Sequence, residues 1–208
     1  MPASFDRRSI ASPAQIRLLS SPVRQELVDT LAALGGEADV AALAEQMGRP
    51  ADGLYYHVRA LVAGGLVEAI AGNDGTERRY RLAGLSDGPL RLAYDLGSDG
   101  NAAELGIFAR ALLQVAGHDF ETGLTSGTAI VDGEHRDLWI ARNKGWLSAA
   151  DLAEVNALLE RLSALSSQPK TSDRDKLVSL IFALAPIDPR PKRRESGHAA
   201  RPREQDST

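Results

Sequence analysis

The sequence predicts a mainly α-helical fold with a small β component, and three observations support this prediction. Between residues 12 and 63, apolar side chains recur at the three- and four-residue spacing of amphipathic helices. Two strand-like segments then follow, joined through an Asn-Asp-Gly turn that is typical of a hairpin. Helical spacing returns after residue 100. The expected architecture is therefore a helical N-terminal domain with a hairpin, followed by a helical C-terminal domain with one or two short strands.

Three short helices are predicted before residue 49. The first two begin with Ser-Pro, at Ser12 and Ser21, where serine is a typical N-cap and proline suits the first helical position. The third begins after Asp39, a further N-cap candidate, and ends at Gly48. Residues 1–11 are polar and lack periodicity, so they are predicted to form a flexible arm.

The fourth predicted helix, residues 51–63, has two distinct faces. At about 100° per residue, Leu54, Val58 and Leu61 fall on one side and are expected to face the core, with His57 at the edge. The opposite side carries hydrogen-bonding, charged and planar side chains near the start of the helix. These are Asp52, Tyr55, Tyr56 and Arg59. Exposed tyrosines in adjacent positions favour a surface that binds something, although an ordinary solvated face is the alternative.

The hairpin, residues 66–82, alternates between two faces. Tyr80 and Leu82 are expected to pack onto the helices, whereas Arg79 and Arg81 share the opposite face. Arg78 is expected near the tip of the hairpin and directed outward. A charged hairpin in solvent is the alternative interpretation.

Three helices, a turn, a fourth helix and a hairpin make a winged helix-turn-helix, predicted for residues 12–84. In this arrangement the helix after the turn enters the major groove of DNA through its N-terminal residues, and the hairpin adds contacts to the backbone. The candidate DNA-contacting residues lie on the turn, the exposed helix face and the hairpin. They are Arg49, Pro50, Ala51, Asp52, Tyr55, Tyr56, Arg59, Arg78 and Arg79.

The segment "LLSSPVRQELVDTLAALGGEADVAALAEQMGRPADGLYYHVRALVAGGLVEA" resembles the winged-helix domain of ArsR-type bacterial transcriptional regulators. The phrases "LSSPVRQELV", "LAEQMG", "YYHVRAL" and "GGLVE" carry the resemblance, which covers about residues 12–83. It implies a dimeric regulator whose recognition helix begins near Pro50. The helix before the turn, "VAALAEQMG", lacks the cysteine motif of the metal-sensing branch, so the resemblance is to a branch that does not sense metals through thiolates. The chain also continues well past the hairpin, as in longer relatives.

The composition sets limits on function. The chain has 208 residues, 43% of them hydrophobic and 25% charged, which is typical of a soluble protein of one or two domains. The absence of cysteine excludes disulfides and thiolate metal sites. No N-terminal apolar targeting segment and no apolar run long enough to span a membrane is apparent. The expectation is a cytoplasmic protein without membrane contact.

The net charge of −4 is unevenly distributed. Residues 1–84 carry −1, residues 85–188 carry −6 and residues 189–208 carry +3. The strongly basic surface that is usual in nucleic-acid binders is therefore missing. DNA binding would have to depend on the local placement of arginines. The basic, proline-rich tail, 187–208, is expected to be disordered.

Residues 90–186 are predicted to form a second domain that mediates dimerisation. Helical spacing is clear at 101–117 and again after Ser148, which together with Asp151 resembles a capping box. The latter helix has an apolar face that is expected to be buried. It consists of Leu152, Val155, Leu158, Leu159 and Leu162. Residues 138–141 are a strand candidate, and the apolar run 176–187 is expected to be a buried strand.

Other chemistry has weak support. His118, Asp119 and Glu121 in one segment, with Glu134, His135 and Asp137 in another, could ligate a metal through nitrogen and oxygen. Two solvated loops are the favoured alternative because no spacing is diagnostic, and no metal or other cofactor is predicted. Trp139 and Trp146 are expected in the core or at a dimer seam rather than in a pocket. No nucleophile–base pair, paired carboxylates or phosphate-binding loop is apparent, so the protein is not expected to be an enzyme.

The resulting hypothesis is a dimeric, sequence-specific transcriptional regulator that binds double-stranded DNA. Two recognition helices in successive major grooves require an inverted repeat with half-sites about one helical turn apart. An unknown small-molecule effector that binds the second domain could change the spacing of the helices. The alternative is a winged-helix protein-interaction module that does not read DNA sequence.

Overall fold

The structure is a computed structural model that describes residues 9–10, 12–71, 78–84, 91–97, 99–168 and 170–187. The predicted hairpin turn, residues 85–90 at the junction of the two predicted domains, residues 1–8 and 11 of the predicted arm and the tail from residue 188 lie outside this range. Six α-helices and five short strands make up the described part, so the fold is mainly α-helical with a small β component, as predicted. In chain order they are β1 (Ser9–Ile10), α1 (Pro13–Leu19), α2 (Pro22–Ala33), β2 (Glu37–Asp39), α3 (Val40–Met47), α4 (Ala51–Ala63), β3 (Val67–Ala71), β4 (Arg78–Leu82), β5 (Arg91–Leu92), α5 (Ala102–Thr125) and α6 (Ala149–Ser166).

The helix starts follow the sequence signals, with one correction. The carboxylate of Asp39 accepts a hydrogen bond from the Ala42 backbone N–H at 2.8 Å, which confirms it as the N-cap of α3. Ser12 and Ser21 occupy the predicted N-cap positions of α1 and α2, but neither side chain makes a capping hydrogen bond. The proline that follows each serine already has the helical φ and needs no partner for an N–H, so it favours the start without the serine.

The wing belongs to a three-stranded antiparallel sheet in which β4 lies between β2 and β3. Tyr80 of β4 lies opposite Ala38 of β2 on one side and Ala69 of β3 on the other. The strands β3 and β4 confirm the predicted hairpin, whereas the sequence predicts no strand at β2. A three-residue strand is too short to show an alternation of apolar and polar side chains. The strand with which β2 pairs lies about forty residues further along the chain.

The hydrophobic core lies among α1 to α4, the sheet and the first half of α5. Leu54, Val58 and Leu61 anchor α4 in it and are almost completely buried, as predicted. Tyr80 is buried and Leu82 packs against the same core, which confirms the predicted inner face of the hairpin.

The end of the predicted flexible arm is structured. β1 pairs in parallel with β5, and Ile10 is buried in the core, so residues 9–10 are not part of a loose arm. The pairing joins segments about eighty residues apart, which no local pattern could indicate.

Helix α5 packs on the N-terminal elements and is longer than predicted. Phe108 reaches the core, and Arg17 of α1 forms an ion pair with Glu104 at 2.5 Å. The helix continues through Gly117 to Thr125, because a glycine inside a helix lowers its stability without ending it.

Three predictions for the C-terminal part were wrong. Residues 138–141 and 176–187 form no strand among the described residues, and most of the apolar side chains in the second run are exposed. Helix α6 and its capping box are present as predicted, but none of its residues is buried. A strand needs a neighbouring strand, and an apolar face needs a surface to cover it. Within the described part of this single chain, residues 138–141 and 176–187 have no neighbouring strand and the apolar face of α6 has no covering surface.

Within the described residues, no helix is both long enough and apolar enough to cross a membrane.

Candidate nucleic-acid interface

A three-residue turn joins α3 to α4 and sets the direction of α4. Gly48 ends α3 in the left-handed conformation, with φ +61° and ψ 31°. Pro50 is extended and occupies the N-cap position of α4. Arg49, between them, is exposed at the start of α4. The turn therefore presents an arginine beside the N-terminal end of the helix, where unpaired backbone N–H groups favour an anion.

The outward face of α4 is the one predicted. Tyr56 is 72% exposed and Tyr55 is 41% exposed, and both Asp52 and Arg59 are exposed. In the predicted contact set, Ala51 and Arg79 are half-buried, and Ala51 packs against the core. The helix thus presents two aromatic side chains and one guanidinium to solvent, while Leu61 on the other side is fully buried.

Arg49 is paired with an acidic residue of α2. Its Nε and Nη2 atoms lie 3.2 and 3.1 Å from Glu26 Oε2. Both side chains are partly exposed. The ion pair links the turn to α2 and places the guanidinium near the start of α4.

His57 lies at the edge of the buried face, as predicted. Burial lowers the pKa of its imidazole, and the nearby guanidinium groups of Arg24 and Arg49 lower it further. Its Nδ1 atom is shielded from solvent and has no hydrogen-bond partner among the described residues. Tyr56 meets the imidazole edge-on, with ring centroids 5.3 Å apart and an interplanar angle of 78°. These surroundings therefore favour the neutral form of the imidazole.

Arg24 is a site residue that the sequence did not reveal. It lies on α2 and is half-buried, and its Nε donates to the Leu18 carbonyl oxygen at 2.5 Å. Its effect on His57 places its charge close to α4. In the sequence it is one arginine near the start of an amphipathic helix, and nothing in that local pattern relates it to a helix nearly thirty residues later.

The wing carries arginines on its outer face, and acidic side chains accompany two of them. Arg79 Nε lies 3.3 Å from Glu37 Oε1, and Arg81 donates to Glu68 at 2.8 Å. Arg78, at the start of β4, is exposed. The wing is thus less positive than its arginines suggest, which agrees with the weak overall charge of this region.

The segments considered for a metal site do not form one among the described residues, which contain no group of three or more histidine and acidic side chains placed to hold a metal ion. His118, Asp119 and Glu121 lie on helix α5 and not in a solvated loop. The loop interpretation was wrong for this segment because Gly117 does not interrupt the helix, whereas Glu134 and His135 lie in a loop and are exposed.

Comparison with known proteins agrees with this geometry at the level of the domain. Residues 19–70 match a family described as a helix-turn-helix domain. Among curated proteins, none matches the chain.

Two solved structures match most of this chain at low sequence identity. A mutant of MarR from E. coli complexed with operator DNA is 14% identical, with 71% of this chain and 84% of that chain covered and a TM-score of 0.28. The organohalide-sensing transcriptional regulator RdhR in the 2,4-dichlorophenol-bound form is 15% identical, with 82% of this chain and 80% of that chain covered and a TM-score of 0.30. Both TM-scores are too low to establish a common overall fold. The family match and the geometry together show that the N-terminal part of this chain is a winged helix-turn-helix domain.

Proposed function

We propose that this protein is a sequence-specific DNA-binding transcriptional regulator of the ArsR type that acts as a homodimer on an inverted-repeat operator. Helix α4 would lie in the major groove, and the wing would contact the adjacent backbone. The observation that carries the proposal is the outward face of α4, where Tyr55, Tyr56 and Arg59 are exposed on the helix that follows the turn.

The chemistry of this face suits base and phosphate contacts. A guanidinium such as that of Arg59 can bind the two acceptors of guanine or clamp a phosphate. Tyrosine hydroxyls donate to phosphate oxygens, and their rings can pack against thymine methyl groups. Leaving Tyr56 72% exposed has no evident structural benefit, which supports a role in contact with a partner.

The ion pairs at the interface leave its arginines accessible to phosphate. Exposed pairs such as Arg49–Glu26 and Arg79–Glu37 contribute about 0–1 kcal/mol. A DNA phosphate can therefore replace the carboxylate at small cost. Because few charges are involved, a single winged helix would bind DNA weakly, and this supports a dimer that doubles the contacts.

Selection of genomic fragments by the purified full-length protein tests the proposal. We expect enrichment of a motif with two inverted half-sites about one helical turn apart. Substitution of Tyr56 or Arg59 by alanine should change the preferred bases. If the wild-type protein enriches no motif at any salt concentration, the regulator is excluded and the exposed face of α4 is better explained as a protein-binding surface.

The salt dependence of binding separates backbone contacts from base contacts. The Arg79→Ala variant should weaken binding to all sequences alike and reduce the slope of log K against log salt by about one. An unchanged slope would show that Arg79 contacts no phosphate. Helix α5 offers a matched control in Arg110→Ala, which removes the same charge outside the winged-helix domain and should leave the slope unchanged.

The competition between Glu26 and phosphate for Arg49 gives a variant that should gain affinity. The Glu26→Gln variant removes the carboxylate that pairs with Arg49, and we expect tighter binding and a steeper salt dependence. Glu121→Gln on α5 changes the net charge by the same amount and should have little effect. Equal gains in the two variants would attribute the result to net charge alone.

A further inference from the structure

We infer that the segment 138–147, which we call the connector, packs against helix α6 of a second copy of this chain, so that the two protomers exchange connectors. This inference rests on the proposed dimer and names the surfaces that form it. The connector of each protomer covers α6 of its partner, and α6 of each protomer is covered by the partner's connector.

The first surface is an apolar stripe along α6 with no cover in the described part of its own chain. Leu158 is 57% exposed and Leu165 is 58% exposed, and Val155 and Leu159 are only half-buried. At about 100° per residue the apolar side chains of this helix fall within one face, with the three- and four-residue spacing of helices that pack against a partner. The α6 stripe consists of Leu152, Val155, Leu158, Leu159, Leu162 and Leu165.

The second surface is the connector, which is apolar and contains neither helix nor strand. Trp146 is 92% exposed, Trp139 is 69% exposed and Ile140 is 76% exposed. Side chains of this size are rarely left in water in a folded protein, and tryptophan is enriched at protein interfaces.

The connector is held at both ends, although most of its apolar side chains are exposed. At its start, Leu138 lies so close to α5 that a Cβ on Gly123 would be 2.9 Å from Leu138 Cδ1. The preceding residue, Asp137, accepts a hydrogen bond from the Ile130 backbone N–H at 2.8 Å and pairs with Lys176.

At its end, the connector enters α6 through the capping box. Ser148 has an extended backbone, and its N–H donates to Asp151 Oδ2 at 2.8 Å. Asp151 N–H donates in return to Ser148 Oγ at 3.1 Å. The capping box therefore fixes the junction between the connector and α6, and Trp146 beside it is left almost fully exposed in its own chain.

Charge and area both favour a second copy as the partner. The connector carries Arg142 and Lys144 and no acid, a net charge of +2, whereas α6 carries three acids and one arginine, a net charge of −2. Two copies related by a two-fold axis would satisfy both surfaces twice. Covering the exposed parts of the α6 stripe and of the connector on both protomers would remove on the order of 1,400 Å² of apolar surface from water, within the range of a stable interface.

Cross-linking of single-cysteine variants tests the exchange directly, because the chain has no cysteine. Full-length Ala141→Cys protein is mixed with differently tagged Val155→Cys protein and treated with a bismaleimide. We expect several-fold more cross-linked heterodimer than in a mixture of Ala141→Cys with Ala157→Cys. Val155 lies on the α6 stripe, and Ala157, half a turn away, is exposed on the other face. Equal yields in the two mixtures, or none, would overturn the inference.

Sedimentation of charge variants gives an independent readout. Leu158→Glu should raise the dimer dissociation constant by roughly tenfold or more, since it places a charge in the apolar seam. The Ala157→Glu variant adds the same charge to the same helix and should sediment as wild type. Far-UV circular dichroism establishes that both variants are folded. If both remain dimeric, or if wild type is monomeric and α6 instead binds vesicles or another protein, the inference is overturned.

The proposed function and this inference can fail separately. A dimer that binds an operator motif but yields no connector–α6 cross-link would retain the regulator and refute the exchange. A cross-linked dimer that enriches no DNA motif would retain the exchange and refute the regulator.

Discussion

Gly48 and Gly53 allow a sharp test of the turn that positions α4. A Cβ added at either glycine would meet no atom within 4 Å, so packing is the same for both. Their backbones differ: Gly48 has φ +61° in the turn, whereas Gly53 lies in the first turn of α4. Replacement by alanine should therefore change stability in opposite directions, for conformational reasons alone.

The backbone conformation at each glycine determines the expected change in the free energy of unfolding. A side chain in the left-handed region costs about 1–2 kcal/mol, so Gly48→Ala should lower the free energy of unfolding by that amount. Alanine in a helix is more stable than glycine by about 0.5–1 kcal/mol, so Gly53→Ala should raise it. Gly48→Asn should cost less than Gly48→Ala, because asparagine tolerates the left-handed region better.

Urea unfolding followed by far-UV circular dichroism measures these differences. With a urea dependence of about 1–3 kcal/mol per molar, the two alanine variants should have midpoints on opposite sides of the wild-type value. If both midpoints move in the same direction, the difference in backbone conformation does not control stability at these positions. The turn between α3 and α4 would then not depend on the left-handed conformation of Gly48.

Three further predictions concern α3 and α4. Leu61→Ala should lower the free energy of unfolding by about 2–5 kcal/mol, whereas Tyr56→Ala on the exposed face should change it by no more than about 0.5 kcal/mol. If urea unfolding gave similar losses of stability for the two variants, the assignment of buried and exposed faces on α4 would be contradicted. Asp39→Ala should lower the free energy of unfolding by about 1 kcal/mol in the same assay, because it removes the N-cap of α3. Ser21→Ala removes no capping hydrogen bond and should lower it by less. The reverse order would contradict the assigned capping interactions. The lowered pKa of His57 means that the unfolded state binds its proton more readily, so its contribution to stability is present above pH 6.5 and is lost as the pH falls below that value. A urea midpoint that decreases less from about pH 8 to about pH 5.5 in His57→Gln than in wild type would confirm this, and equal decreases would refute it.

Local patterns in the sequence determined most of the winged-helix domain. The spacing of Leu54, Val58 and Leu61 is sufficient to orient α4, because a helix that packs on a core must turn its apolar side inward. In the same way, side chains alternate between the two faces of a strand, and this alternation assigns Tyr80 and Leu82 to the inner face of the hairpin. These features depend on residues a few positions apart, and a sequence displays such relations directly.

Contacts between distant segments were decided only by the tertiary structure. Strands β2 and β1 pair with partners far along the chain, and Arg24 lies near His57 only because α2 and α4 pack together. The same limit explains the wrong predictions for the C-terminal part. Periodicity shows that α6 has an apolar face, but burial depends on a surface to cover it, and the described part of one chain does not supply that surface.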